Sequence, residues 1–146
     1  PQGGEFRVNP FTSRDQRDSS VAMDDAGNFV VTWESDTLLS SLNGVFARRY
    51  DASGTPLSGA FRVNTFTSGS QIDPSVAMDA AGNFVVTWTS GIQDASSAGV
   101  YGQRYDASGA PLGGEFRVNT FTTNSQVASS AAMDASLTNR SNCFWS

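Results

Sequence analysis

The chain repeats itself at an offset of 55 residues, and this repeat limits the folds open to it. Residues 3–57 and 58–112 are identical at 35 of 55 aligned positions. A partial third copy spans residues 113–135, and residues 136–146 form a divergent tail. Such a repeat is typical of proteins in which each copy forms one supersecondary unit and neighbouring units bury a common core. We therefore expect one repeat domain over the 146 residues.

Each complete copy contains four segments that predict β-strands. They alternate apolar with polar residues, or are rich in β-branched and aromatic residues, and turn residues separate them. The segments of the first and second copies are 5–12 and 60–67, 20–24 and 75–79, 29–33 and 84–88, and 44–51 and 99–106. No segment has a helical period of useful length, so the sequence predicts an all-β fold.

The second and third segments of each copy are joined by a predicted hairpin turn. In the first copy its characteristic residues are Asp24, Gly27 and Asn28. In the second copy they are Asp79, Gly82 and Asn83. Gly and Asn accept positive φ, and an Asp carboxylate at this place accepts backbone N–H groups and fixes the turn. The turn resembles the aspartate box of sialidase-type propellers, with one extra residue. Calcium binding by the same Asp and Asn residues is the alternative, although Ala80 replaces Asp25 in the second copy.

Four antiparallel strands repeated at this spacing predict blades of a propeller-like architecture, with a β-sandwich or β-solenoid as the alternative. A propeller needs about four blades or more, which one chain does not supply. Residues 5–12 would form a last strand without its sheet, and residues 129–146 a first strand or hairpin. The sequence therefore predicts a homodimer that closes a six-bladed ring.

Composition excludes several classes of partner and mechanism. The net charge is −5 and the isoelectric point about 4.4, which disfavours nucleic acid and anionic membrane surfaces as partners. No apolar stretch is long enough for membrane insertion. The chain has no His, which removes the commonest general base, and its single cysteine, Cys143, allows no intrachain disulfide. No cofactor is expected, apart from the calcium alternative.

Whole strings of the repeat resemble a known kind of sequence. The strings FRVNTFT, PSVAMDAAGNFVVTW, GVYGQRYDASG and GGEFRVN are similar to repeats of very large secreted or surface-attached bacterial proteins, often found beside calcium-binding or cadherin-like repeats. The resemblance covers residues 3–135. It implies a secreted or cell-surface location and a role in adhesion or matrix interaction, and it implies no reaction.

Aromatic and basic residues at the strand ends are the candidate ligand-binding set. Aromatic rings stack on sugar faces, and neighbouring Arg and Asp side chains hydrogen-bond sugar hydroxyls. These residues are Trp33, Trp88, Arg49, Arg104, Tyr50 and Tyr105. The alternative is that the rings fill contacts between blades and that the arginines pair with aspartates at the rim, since packing also requires the same residue in every blade.

The loops after the third segment differ between the copies while their flanks match. Residues 34–43 and 89–98 differ almost throughout, as surface loops that bind ligands do. Glu34 and Asp36 form an unduplicated carboxylate pair there. The sequence thus favours an extracellular module that binds carbohydrate or another cell-surface ligand. A carboxylate-based glycoside hydrolase of the same fold and a purely structural repeat are the alternatives.

Overall fold

The computed structural model describes residues 4–10, 12, 15–36, 43–93, 97–120, 123–127, 130–133 and 143–145. All regular elements in these ranges are β-strands. They are β1 (Gln16–Met23), β2 (Phe29–Asp36), β3 (Asn43–Tyr50), β4 (Phe61–Arg62), β5 (Gln71–Met78), β6 (Phe84–Ser90), β7 (Gly99–Tyr105), β8 (Phe116–Arg117), β9 (Ala131–Met133) and β10 (Cys143–Trp145). Within the same ranges, no helix is long and apolar enough to cross a membrane.

The strands form three antiparallel units. Strands β1 to β4 make the first sheet, β5 to β8 make the second sheet, and β9 pairs with β10 in a C-terminal hairpin. Each four-stranded sheet is a meander, because strands adjacent in sequence are also hydrogen-bonded neighbours. The registers of the two sheets differ only by the 55-residue offset: Met23 pairs with Phe29, and Met78 pairs with Phe84. The duplicated sequence is therefore a duplicated structure.

The three units are arranged like the blades of a propeller. The first strand of each unit lies beside that of the next, so β1 packs next to β5, and β5 next to β9. Strands β4 and β8 lie at the opposite edges of their sheets. The sheets fan out from a common inner edge without closing into a barrel over the described residues. The prediction of an all-β, propeller-like architecture built from tandem four-stranded sheets is confirmed.

The first segment of each predicted copy is shorter than expected. In the second copy, only Phe61 and Arg62 of the predicted strand 60–67 pair with β3. The described part of residues 5–12 forms no strand, which corrects the prediction for the N-terminal segment. The physical reason is that this segment precedes the first sheet and has no third strand of its own unit to pair with, since β3 already pairs with β4. Residues 129–146 were predicted to form a first strand or a hairpin. The structure contains the antiparallel pair of β9 and β10 there.

The main core lies between the first and second sheets. The first sheet contributes small and β-branched residues, and the second sheet contributes larger rings. The members are Val30, Val45, Ala47, Val63, Val76, Phe84, Val86, Trp88, Tyr101 and Tyr105. All are at least nine-tenths buried. This apolar seam holds the two sheets in a fixed relation, and it thereby fixes the positions of polar residues at their ends.

The hairpin turns have the predicted backbone geometry. Gly27 has φ of 85° and Gly82 has φ of 88°, in the region that side chains avoid. The N–H of each glycine donates to the carbonyl of the Asp that opens the turn, at 3.1 Å in the first copy and 3.0 Å in the second. The prediction of positive φ at both glycines is confirmed.

Candidate functional site

The four aromatic rings predicted to bind a ligand lie in the interior. Trp33 is 3% exposed, Trp88 and Tyr50 are 0% exposed, and Tyr105 is 5% exposed. A buried ring presents no face on which a sugar could stack, and the role of these rings as ligand contacts stays a prediction. The alternative, that the rings pack the blades, describes the structure.

The contacts of these rings are those of packing residues. Tyr50 stacks on Phe29 at 5.0 Å between ring centroids, and Tyr105 stacks on Phe84 at 4.8 Å. Burial, with a smaller contribution from the Glu115 charge, raises the pKa of Tyr105 to about 12. The indole N–H of Trp88 donates to Gln71 Oε1 at 2.9 Å.

The two predicted arginines do not converge on the same place. Arg49 donates from its guanidinium to the carbonyl oxygens of Ala107 and Ser108, so it ties the first sheet to a turn of the second. Arg104 lies on the solvent side, with its guanidinium 5.9 Å from the ring centroid of Phe116. The six predicted ligand-binding residues therefore do not form one site.

The predicted calcium residues hydrogen-bond to one another and stabilise their turns. In the first copy, the backbone N–H of Asn28 donates to Asp24 Oδ1 at 2.8 Å, and its side-chain amide donates to Asp24 Oδ2 at 2.9 Å. Asn83 and Asp79 repeat the arrangement at 2.9 and 2.8 Å. Each carboxylate thus accepts an N–H group with each of its two oxygens, which is the geometry expected of an Asp that fixes the hairpin turn. Calcium stays a prediction, to be tested by chelation.

The two ends of the sheets differ in chemistry. At one end are the turns that match between the copies. At the other end, β1 begins, β2 ends and β3 begins, because Gln16 pairs with Ser35 and Asp36 pairs with Asn43. This second end also carries the flanks of the variable loops and several charged side chains without a counterpart in the other copy. We call this second end, where the two copies differ, the variable end.

Three carboxylates meet at the variable end, where the two sheets adjoin. They belong to Asp18, Glu34 and Asp73, and one oxygen of each lies within 4.8 Å of those of the others. Asp18 and Asp73 occupy bulges, where the register of β1 against β2 and of β5 against β6 shifts. Their φ angles are 51° and 54°, which are uncommon for residues other than glycine. A bulge redirects a side chain and is frequent beside functional sites. We call these three residues the carboxylate cluster.

Glu34 anchors the carboxylate cluster. It is only 2% exposed, and its Oε1 accepts hydrogen bonds from Arg17 Nε at 2.5 Å and Asn43 Nδ2 at 2.7 Å. Its Oε2 accepts the backbone N–H of Asp73 at 3.3 Å, which links the two sheets. The hydrogen bond to Glu34 and its charge raise the pKa of Arg17, so the guanidinium stays charged. Glu34 is thus a buried residue whose hydrogen bonds connect β1, β3 and the bulge of β5.

The exposed members of this end are available to a ligand. The side chains of Arg17 and Asp18 are 49% and 53% exposed, and the Arg17 Nε lies 3.9 Å from Asp18 Oδ2. Sequence reasoning identified Glu34 but paired it with Asp36, whereas the structure pairs it with Arg17 and groups it with two other acids. Asp18 and Asp73 were missed. The sequence feature that could have indicated them is an aspartate at the equivalent position of both copies, shortly before a predicted strand.

The comparisons with known proteins bear on the fold. No protein-family model matches the sequence, and no curated protein matches it. The Hadza microbial sialidase Hz136 is structurally similar, with a TM-score of 0.59 and 15% identity over 81% of this chain and 30% of the sialidase chain. An N-acetylgalactosamine deacetylase from F. plautii, in complex with blood group B trisaccharide, matches with a TM-score of 0.54 and 13% identity over 84% of this chain and 43% of its own. This chain thus spans less than half of either protein, and at these identities the likeness shows the fold.

Proposed function

We propose that this chain is an extracellular repeat module that binds carbohydrate at the variable end, beside the carboxylate cluster. The observation that carries the proposal is the convergence of Asp18, Glu34 and Asp73 within 4.8 Å across two sheets. Two of these acids are exposed on bulges, and the third is buried and accepts the backbone N–H of Asp73. The cluster is a polar arrangement that packing of the sheets does not require, since the second copy has Thr89 in the place of Glu34.

The donors and acceptors of this end suit a polyhydroxylated ligand. A sugar hydroxyl both donates and accepts hydrogen bonds. The carboxylates of Asp18 and Asp73 accept from such hydroxyls, and the Arg17 guanidinium donates to them. Hydrogen bonds to charged groups contribute roughly 1.5–3 kcal/mol each. Since the chain carries a net charge of −5, we infer a neutral saccharide rather than a polyanion.

Two independent lines support a carbohydrate over other small polar ligands. Both structurally similar proteins, the sialidase and the deacetylase with its bound trisaccharide, are named for carbohydrate chemistry. The repeat strings also resemble those of secreted or surface-attached bacterial proteins, and this resemblance implies a role in adhesion or matrix interaction. A secreted or cell-surface location is part of this proposal.

The test begins with a glycan array and continues with calorimetric titration of the glycans that score. Asp18→Asn and Asp73→Asn are the informative variants, because asparagine accepts positive φ and so leaves each bulge intact. We expect either variant to weaken binding roughly tenfold to a hundredfold, as the loss of one charged hydrogen bond implies. Asp25→Asn, at the opposite end of the first sheet, is the matched control and should bind as the wild type does. Absence of any glycan ligand, or equal binding by all variants, would contradict the proposal.

A glycoside hydrolase is the second candidate, and the presence of more than one carboxylate in the carboxylate cluster is the observation that favours it. Glycosidases of this class act with a pair of Asp or Glu carboxyl groups. Release of reducing ends from a glycan that the chain binds, lost in both Asp18→Asn and Asp73→Asn, would support hydrolysis. Binding without release under the same conditions would leave the binding module as the function.

A further inference from the structure

The first sheet exposes an apolar face on the side away from the second sheet. Val21 is 62% exposed and Met23 is 59% exposed. Phe6, from the N-terminal segment, is 49% exposed over the same side of the sheet. Large apolar side chains that are exposed together on one surface commonly mark an interaction site. We call this surface, with Val31 and Trp33 below it, the open face.

The repeat itself shows what covers such a face. Val76 of the second sheet corresponds to Val21, and it is only 6% exposed. It is buried because the first sheet packs against it within the main core. The two sheets have the same strands, the same register and nearly the same side chains on this side. The open face is therefore built to receive another sheet of the same kind.

A cavity beneath the open face supports this interpretation. It measures about 350 Å³ and lies between residues 6–9 and strands β1 and β2, with Val31 and Trp33 in its lining. The indole N–H of Trp33 and Oε1 of Gln16 are buried and have no hydrogen-bond partner. In the second sheet, the corresponding indole of Trp88 is satisfied by Gln71. The side of the first sheet that lacks a covering sheet thus contains a cavity, and it lacks the Trp–Gln hydrogen bond that forms within the second sheet.

The N-terminal segment already occupies part of the position of a covering sheet. Phe6 lies 5.4 Å from the Tyr50 ring, just as Phe61 in β4 of the first sheet lies 5.5 Å from the Tyr105 ring of the second. The carbonyl of Val8 accepts the hydroxyl of Tyr50 at 3.1 Å. Residues 6–9 therefore stand at the fourth-strand position of a sheet that would lie on the open face.

We propose that the occupant of the open face is the C-terminal side of a second copy of this chain. The β9–β10 hairpin lies on the far side of the second sheet and forms the first two strands of a further unit, with β9 beside β5. Residues 6–9 of one copy and the β9–β10 hairpin of the other then take the fourth, first and second strand positions of one unit, whose third strand position is filled by neither of these segments. Within one chain, the first and second sheets contact each other through opposite faces. A contact of the same kind between two copies is therefore head to tail. Two such contacts close a two-fold ring.

Light scattering coupled to size exclusion tests the proposal on the full chain. We expect twice the 15.4 kDa mass of one chain, and Val21→Lys should give the single-chain mass because it places a charge in the buried contact. Val21 is exposed in the single chain, so the variant should still melt cooperatively. Met23→Lys serves in its place if it does not. Ile92→Lys, at another residue that is 56% exposed, is the matched control and should keep the wild-type mass.

Three results would overturn the proposal. The first is a wild-type chain that has the single-chain mass at the highest soluble concentration. The second is a dimer that survives both Val21→Lys and Met23→Lys, because its contact would then use another surface. The third is an assembly that lengthens with concentration, because a closed two-fold ring does not grow.

Discussion

Replacing Gly82 with alanine tests whether the hairpin turns set the stability of the sheets. Its φ of 88° lies where a side chain is strained, which costs about 1–2 kcal/mol for a residue other than glycine. A Cβ at this position would also lie 3.2 Å from Asp24 Oδ2 and 3.3 Å from Ala107 Cβ, so the neighbouring turns must shift slightly. We therefore expect Gly82→Ala to lower the free energy of unfolding by about 1–3 kcal/mol. Gly82→Val should cost more, because its two methyl groups crowd the same contact.

Urea unfolding followed by tryptophan fluorescence measures the effect. Gly59→Ala is the matched control, because nothing lies within 4 Å of a Cβ there and its φ is not in the positive region. It should change the free energy of unfolding by about 0.5 kcal/mol at most. The melting temperature of Gly82→Ala should fall by roughly 2–4 °C per kcal/mol. Equal stability of Gly82→Ala and Gly59→Ala would refute the reasoning.

Three further predictions concern the turns, a buried phenol and a buried hydrogen bond. If Asp24 and Asp79 only staple their turns, EDTA should leave the melting temperature unchanged, and a drop that Ca²⁺ reverses would contradict this. Because the pKa of Tyr105 is about 12 when folded and about 10 when unfolded, the unfolded state loses its proton first, so the free energy of unfolding should fall between pH 10 and 12. Tyr105→Phe should reduce that slope in urea titrations at each pH. Gln71→Leu should cost roughly 1–3 kcal/mol in urea unfolding, because it leaves the Trp88 indole N–H buried without a partner, and an unchanged midpoint would show that the bond contributes nothing.

The sequence predicted the local structure because the local signals agree with each other. The turn from Asp24 to Asn28 combines a carboxylate that caps backbone N–H groups with a glycine that accepts positive φ, and both act over a few residues. The repeat then carries this hairpin to the second copy unchanged. Strand bounds were less certain, since β1 begins at Gln16 and not at residue 20.

The residues of the candidate site were harder to predict because burial depends on the neighbouring sheet. Trp88 and Tyr105 are residue types that are common in sugar-binding surfaces, but the first sheet covers them. Asp18 and Asp73 are 55 residues apart, and only the stacking of β1 beside β5 brings their carboxylates near Glu34. No spacing rule within one strand indicates a contact of this kind.

The sequence by itself determined the repeat, the all-β meander within each copy and the turn geometry, because hydrogen bonds between successive strands and the backbone preferences of Gly and Asn are local. The tertiary structure decided which face of each sheet is covered, because that depends on which sheets pack beside one another along β1, β5 and β9. Val76 in the second sheet is 6% exposed, whereas the equivalent Val21 in the first sheet is 62% exposed. The packing of β1 beside β5 also brings together the three carboxylates of the variable end. Two nearly identical sheets therefore have different surfaces, because only one of them has another sheet of this chain packed against that side.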